Sequence, residues 1–305
     1  AVMRGRGRPA DHAPAGTAGR MRRGACMRAM TPTIVWAALG VVLPQALHAA
    51  GSAAPPSASA ASAASAAPAG GACAGTVYLT LDTGNMSQAE RIADTLRRHG
   101  VRATFFLANE RTPRGDHALD DAWAPYWRAR VAEGHGFGSH TYDHVYFRGM
   151  ARGADGAPRV QARPQFGDAA GRTLAWDAAA VCAELARVDA RLRAIAGRGL
   201  DPVWRAPGGR APEFVMRAAQ SCGYRHVHWA PAGFLGDELP SETHPNDRLL
   251  AQALAGIRDG DILMAHLGIW SRKDPWAPML DPLITGLKRR GLCFATLDEH
   301  PEARR

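Results

Sequence analysis

Five side chains able to move a proton, steady a charge or grip a metal lie at or just past the ends of apolar runs. Asp82 closes Thr76-Val77-Tyr78-Leu79-Thr80-Leu81, Arg205 follows Val203-Trp204, and His266 closes Ile262-Leu263-Met264-Ala265. His140 ends the stretch His135–His140, and His144 stands four residues beyond it. A carboxylate can take a proton from water and an imidazole can give one to a leaving group, provided both reach the reacting atoms. Two imidazoles four apart share a face on a helical turn and can hold one divalent ion, most often zinc. Taken singly these signals are weak. An HxxxH pair is more often a surface or packing feature, an Asp after a strand is more often a turn cap, and His266 alone reads as a core histidine. Their common placement is more informative than any one of them.

The elements that must position them alternate regularly. Strands are predicted over 76–81, 101–107, 135–140, 203–205, 224–229, 261–266 and 292–297. Helices are predicted from the capping box Ser87-Gln88-Ala89-Glu90 to Gly100, then over 123–133, 175–196, 213–222, 249–257 and 279–290. The stretch 148–171, rich in Gly, Arg, Ala and Pro, reads as an inserted surface loop that shapes one groove wall. Strand and helix in alternation predict a parallel sheet, open or closed into a barrel. In such folds chemistry gathers beyond the C-terminal strand ends, where the five residues lie.

These motifs, in this order, resemble the NodB-homology polysaccharide deacetylases, carbohydrate esterase family 4. Thr80-Leu81-Asp82-Thr83-Gly84 is similar to the family's Thr-Phe-Asp-Asp-Gly. His140-Thr141-Tyr142-Asp143-His144 matches His-Ser/Thr-x-x-His, Arg205-Ala206-Pro207 matches Arg-x-Pro, and Ile262–His266 resembles the apolar run ending in histidine. The resemblance spans about residues 76–297. It implies an α/β fold, a distorted (β/α) barrel of about seven parallel strands with surrounding helices. It implies metal-assisted hydrolysis of N-acetyl, or sometimes O-acetyl, groups on a carbohydrate. Asp82 would be the general base, His266 the acid and Arg205 the partner that orients Asp82. A divalent metal, zinc first, would sit on His140 and His144, and Tyr142, Pro207 and Trp229 would line the substrate groove. The departure is Thr83, which stands where the family has a metal-binding Asp. Thr83 would then be a weak or water-bridged ligand, or Asp82 would be drawn onto the metal, or the ion would be lost. The last case gives the rival expectation, a catalytically silent glycan-binding protein. Asn85 and Asp143 are nearby polar candidates to replace the lost carboxylate. The carboxylate that tunes the acid histidine has two candidates, Asp237 and Asp261, and His226 and His228 could share a face of the pocket. A third class, hydrolysis of another C–N bond such as a cyclic amide, fits an exported protein less well.

Composition bounds the rest. Of 305 residues, 46% are hydrophobic, 21% charged and 7% aromatic, which excludes a wholly disordered, collagen-like or polytopic membrane chain. The net charge of +9 lies mostly in residues 1–50, where seven arginines face only Asp11. Beyond residue 50 there are 30 basic and 27 acidic residues, so no nucleic-acid partner is expected. Residues 1–50 read as a basic leader with a signal peptide: Arg22, Arg23 and Arg28, an apolar run Ile34–Leu43, then Ala46, Ala49 and Ala50. That run is shorter than the roughly 20 residues a span requires, so no stable membrane span is expected after cleavage. Residues 51–72, almost all Ala, Ser, Gly and Pro, read as a flexible linker, and 73–305 as the catalytic domain. Export to the periplasm or beyond suits Cys73, Cys182, Cys222 and Cys293, an even set with three possible pairings, although buried free thiols suit them equally. A monomer acting on an acetylated carbohydrate is expected.

Overall fold

The computed structural model describes residues 73–304, and the expected leader (1–50) and linker (51–72) lie outside the described residues. The chain first forms β1 (Gly75–Asp82), buried along both faces from Val77 onward. Alternation divides this strand between two environments. Val77, Leu79 and Leu81 join the main core under the helices, while Tyr78 joins a small cluster with Phe106, Val203 and Val227 on the other side of the sheet. Asp82 shares the parity of Tyr78 and Thr80, so the strand ends with its carboxylate on that inner face.

After β1 come α1 (Ala89–His99), β2 (Thr104–Leu107), α2 (Ala124–Ala132) and β3 (Gly136–Ser139). Then follow β4 (Tyr146–Arg152), β5 (Pro158–Arg163), β6 (Leu174–Trp176), α3 (Ala178–Ala196), β7 (Val203–Trp204) and α4 (Glu213–Ser221). The chain closes with β8 (Arg225–His226), α5 (Asn246–Gly256), β9 (Ile262–His266), α6 (Leu280–Arg289) and β10 (Leu292–Phe294). Seven strands form one curled parallel sheet in the order β10-β1-β2-β3-β7-β8, with β9 also on β1. Residues 230–235 run along β9, where Ala230 and Leu235 donate to Ile262 and Met264. The seven parallel strands with surrounding helices are those of the expected distorted (β/α) barrel, curled here into a half-barrel. Close approach of β2 and β3 depends on glycine: a Cβ on Gly138 would lie 2.6 Å from the Phe106 ring.

Register decides what meets at the rim. Asp82 pairs directly with His266 and with Phe106, and Ser139 pairs with Trp204. The next residues in the last pair are His140 and Arg205, so four of the five expected groups arrive at one end of the sheet.

Three local expectations are corrected. Residues 148–171 are not an irregular loop; they supply most of β4 and all of β5 in the antiparallel sheet β4-β5-β6, pinned by Phe147, Val160 and Ala162 against α3 and α4. The capping box does not form: α1 is preceded by Gln88 with no side-chain cap, and Asn85 rather than a helix-capping hydroxyl takes the Ser87 N–H. The His140–His144 segment is a tight turn with Thr141 and His144 at positive φ, because β3 ends at Ser139 and no helix follows.

Four cysteines pair, Cys73 with Cys293 and Cys182 with Cys222. The first bond joins the residues just before β1 to β10 across 220 residues, and the second joins α3 to the C-terminal cap of α4. A cross-link over so long a loop restricts the unfolded chain strongly. Cys73→Ala together with Cys293→Ala should lower unfolding free energy by about 2–5 kcal/mol in a urea titration. A change under about 0.5 kcal/mol would refute that contribution.

Candidate active site

Asp82 is almost wholly buried, 3% exposed, beside the fully buried Arg205. Arg205 Nη1 donates to Asp82 Oδ1 at 2.9 Å and to Thr80 Oγ1 at 2.8 Å, and its Nε donates to Val227 O at 3.2 Å. Phe106 and Trp229 lie against the guanidinium at 4.2 and 5.4 Å. Burial by itself would raise the Asp82 pKa, but Arg205, His140 and His266 together hold it below 3.8, so the carboxylate is ionised.

His140 directly follows β3, and its Nδ1–H donates to Arg205 O at 3.0 Å. Burial pushes its pKa down to about 3, so the ring is neutral and its proton sits on Nδ1. Nε2 therefore turns a lone pair toward Asp82 Oδ2, 3.6 Å away. Two acceptors facing each other need a donor or a cation between them, and a backbone carbonyl fixing the far nitrogen is the usual support of a metal-binding imidazole. His144 comes alongside, its ring centroid 5.0 Å from that of His140, backed by Tyr146 at 5.2 Å. Behind the turn, Glu184 of α3 accepts from Asp143 N at 2.6 Å, and Arg187 bridges Glu184 and Asp143.

Thr83 is turned another way. Its hydroxyl accepts from Ala108 N at 2.9 Å and lies 3.4 Å from Phe106 O, to which it donates. Among the described residues no three of the His, Cys, Asp and Glu side chains are grouped to hold a metal ion. The donor chemistry thus suits a divalent ion at His140 and His144, while Thr83 has one remaining lone pair to offer.

At the opposite side His266 N donates to Asp237 Oδ2 at 2.6 Å and His266 Nδ1–H to Asp237 Oδ1 at 3.1 Å. Burial opposes the charged ring, but Asp237, Asp82 and Glu238 raise its pKa to about 10. An ionised Asp82 and a protonated His266 thus sit side by side at neutral pH, the opposite protonation states that acid–base hydrolysis requires.

Asp82, His140, His144, Trp229 and His266 line one cavity of about 300 Å³, with Glu110, Tyr146, Glu238 and Trp270 completing its walls. Tyr142 and Pro207 are not among its lining residues. The Tyr142 ring packs under Arg187 at 4.1 Å, and the neighbours Ala206 and Gly208 line the wall beside the buried Pro207. Of the two carboxylates considered for His266, Asp237 is the partner; Asp261 precedes β9 at its other end and accepts from Arg258 N. Asn85 caps Ser87 and Asp143 pairs with Arg187, so neither reaches the cavity wall. His226 accepts from Ala206 N, and its pKa is lowered to about 4 by burial and Arg205. Sequence reasoning missed Glu110 and Glu238. Glu110 follows β2 by three residues and accepts from Gly84 N at 2.8 Å; a search of every strand end for carboxylates would have found it. Tyr146 and the 62% exposed Trp270 carry no comparable local signal.

A curled parallel sheet with a carboxylate–arginine pair, two adjacent imidazoles and a second carboxylate–imidazole pair at its C-terminal rim is the framework of a hydrolase. The sequence profile of the polysaccharide deacetylase family matches residues 69–227, more than half of the chain, and the chain belongs to that family, the NodB-homology group of carbohydrate esterase family 4. The family's members are hydrolases of carbon–nitrogen bonds and generally depend on a divalent metal. The chain is 27% identical over 229 residues to the peptidoglycan-N-acetylmuramic acid deacetylase PdaA of Bacillus subtilis, covering 73% of this chain and 70% of that protein. It is 25% identical over 194 residues to a chitooligosaccharide deacetylase of Azorhizobium caulinodans, covering 63% and 74%. Its fold is shared with a family 4 acetyl xylan esterase from Clostridium thermocellum solved with a cobalt ion, at TM-score 0.56, 23% identity and coverage of 75% and 91%.

Proposed function

We propose that this protein is an exported, metal-dependent carbohydrate deacetylase acting on N-acetyl groups, and on O-acetyl groups where the glycan carries them. The observation that carries this reading is the pairing of Asp82 with His266 across β1 and β9, one ionised and one protonated, on one cavity with His140 and His144. Asp82 takes a proton from the attacking water, steadied by Arg205. His266 gives a proton to the departing amine or alcohol, held charged by Asp237. Trp229 and Trp270 offer aromatic faces to a sugar ring. A divalent ion, zinc first, would be held by His140 and His144, with Thr83 reaching it through water. When bound it supplies Lewis acidity toward the acetyl carbonyl and acidifies water. The leader, and the paired cysteines of an oxidising compartment, support export, and 73–305 is proposed as the catalytic domain.

Acetate release from N-acetylated chito-oligosaccharides, peptidoglycan and acetylated xylan, each with and without EDTA, tests this. Release abolished by EDTA and restored by zinc is expected. Release from none of the three would reject the enzyme reading.

Thr83 supports a second reading, a glycan-binding protein without turnover, because a neutral hydroxyl replaces an anionic ligand. Thr83→Asp should raise zinc affinity by about tenfold or more, since a carboxylate there supplies both charge and a direct ligand. Competition against a zinc chelator measures it, and unchanged affinity would mean position 83 does not face the ion.

A further inference from the structure

The antiparallel arm β4-β5-β6 holds the charge excess of the chain beyond its basic leader. Residues 146–176 carry five arginines and two aspartates; taken from the 30 basic and 27 acidic residues beyond residue 50, they leave 25 of each. Arg159 pairs with Asp155, and Asp143 behind the arm pairs with Arg187. Arg148, Arg152, Arg163 and Arg172 are exposed and have no ion pair among the described residues, and Asp168 is the one acid of the arm left to oppose them. Arg152 Nη1 donates to Gly156 O and Arg163 Nε to Gly171 O, both neutral, while Arg148 makes no hydrogen bond among the described residues.

This surface begins at the central cavity. Tyr146 opens β4 and lines that cavity; the Arg148 guanidinium lies 5.5 Å from its ring, and Arg163 stands opposite it in the register of β4 and β5. Phe147, Val160 and Ala162 take the face against α3 and α4, so Tyr146 and Arg163 stand on the outer one. The seven residues of β4 carry the surface about 20 Å away from the rim. The cavity itself is lined by Glu110 and Glu238 and, among the described residues, by no Lys or Arg, so it suits a sugar without negative charge. We propose that the arm docks an acidic glycan: an uncharged N-acetylated sugar enters the central cavity, while carboxylates on neighbouring sugars lie along the arm against Arg148 and Arg163. The planar guanidinium fork matches a carboxylate, and unpaired guanidiniums gathered on one face draw a polyanion from solution. A lipid surface fits less well, because Met150 is the only large apolar side chain that the arm exposes. The proposal rests on the deacetylase reading for the sugar in the cavity and on the arm alone for the charge of its neighbours.

The test measures, by calorimetry on the whole protein, the binding of two glycans of equal length. One is a hyaluronan hexasaccharide, in which N-acetylated sugars alternate with carboxylate-bearing ones; the other is chitohexaose, N-acetylated throughout and uncharged. The hyaluronan fragment is expected to bind about tenfold more tightly, with the preference lost at about 0.5 M sodium chloride. Arg148→Gln combined with Arg163→Gln is expected to lower the ratio of the two affinities by about tenfold, the loss of two exposed charge contacts. Should the double variant not fold, Arg148→Gln alone carries the test, with a loss of about threefold. Equal affinity for the two glycans overturns the proposal, and so does a preference that the variants leave unchanged. Arginine-dependent binding to phosphatidylglycerol vesicles without a hyaluronan preference also overturns it and assigns the arm to a membrane. Acetate release, assayed separately on the parent protein, decides the deacetylase reading by itself, so failure of one is not mistaken for failure of the other.

Discussion

Asp82→Asn is expected to lower kcat/KM for deacetylation by about 10²–10⁴-fold, the usual contribution of a positioned general base. The amide keeps the shape of the side chain and can still accept from Arg205, but it cannot take a proton from water. The same variant should be less stable by about 3–5 kcal/mol, because the fully buried Arg205 loses its only anionic partner among the described residues. Kinetics on a released-acetate assay and urea unfolding read the two effects separately. Full activity in Asp82→Asn would remove the base from this residue. The pH dependence of stability follows with its sign. The native pKa of Asp82 lies below 3.8, so this carboxylate stabilises the fold above about pH 3.8 and the contribution is lost as pH falls further.

The second large effect is expected at the other end of the pH scale. In the proposed mechanism His266 must carry its proton to act as the acid; burial works against that charge, while Asp237 first, then Asp82 and Glu238, raise its pKa to about 10. Activity should therefore hold from neutral pH upward and fall as pH passes about 10. Asp237→Asn removes the largest of the supporting charges and should move this alkaline limb down by about 1–3 units. A smaller downward shift is expected for Glu238→Gln, whose carboxylate lies near His266 Nε2 at 3.9 Å. The measurement is the pH profile of kcat/KM for both variants beside the parent. An alkaline limb that stays in place in Asp237→Asn would show that another group controls the proton on His266.

Both predictions depend on pairings that have different origins. The alternation of apolar runs with amphipathic stretches was legible, and with it the parallel sheet, since hydrophobic period follows from which faces must leave water. The rim residues were legible for the same reason: a polar group that closes a buried strand must emerge at its end. Asp82, His140, Arg205 and His266 were readable on that ground, and Asp237 was one of two candidates. Chain-local rules failed where the partner was remote. Residues 148–171 carry weak periodicity because β4 and β5 bury only one face, and that face needs α3 and α4 beneath it.

Which groups face one another was a tertiary decision. The register of β1 against β9 sets Asp82 beside His266, and one residue of slip would turn either side chain to the opposite face. Thr83 shows the same division. Its identity and its departure from the family motif were plain in the chain, but its hydroxyl turns to the backbone of Phe106 and Ala108 because β2 runs alongside and leaves an amide to be satisfied there. Glu110 and Glu238 join the cavity through loops, and Tyr146 through the start of β4, whose courses are set by packing across the rim. The residue types and strand ends thus determined which chemistry was possible. Only the packed sheet decided which proton donors and acceptors meet, because hydrogen bonding and charge coupling act over a few ångströms between residues that are tens to more than a hundred positions apart in the chain.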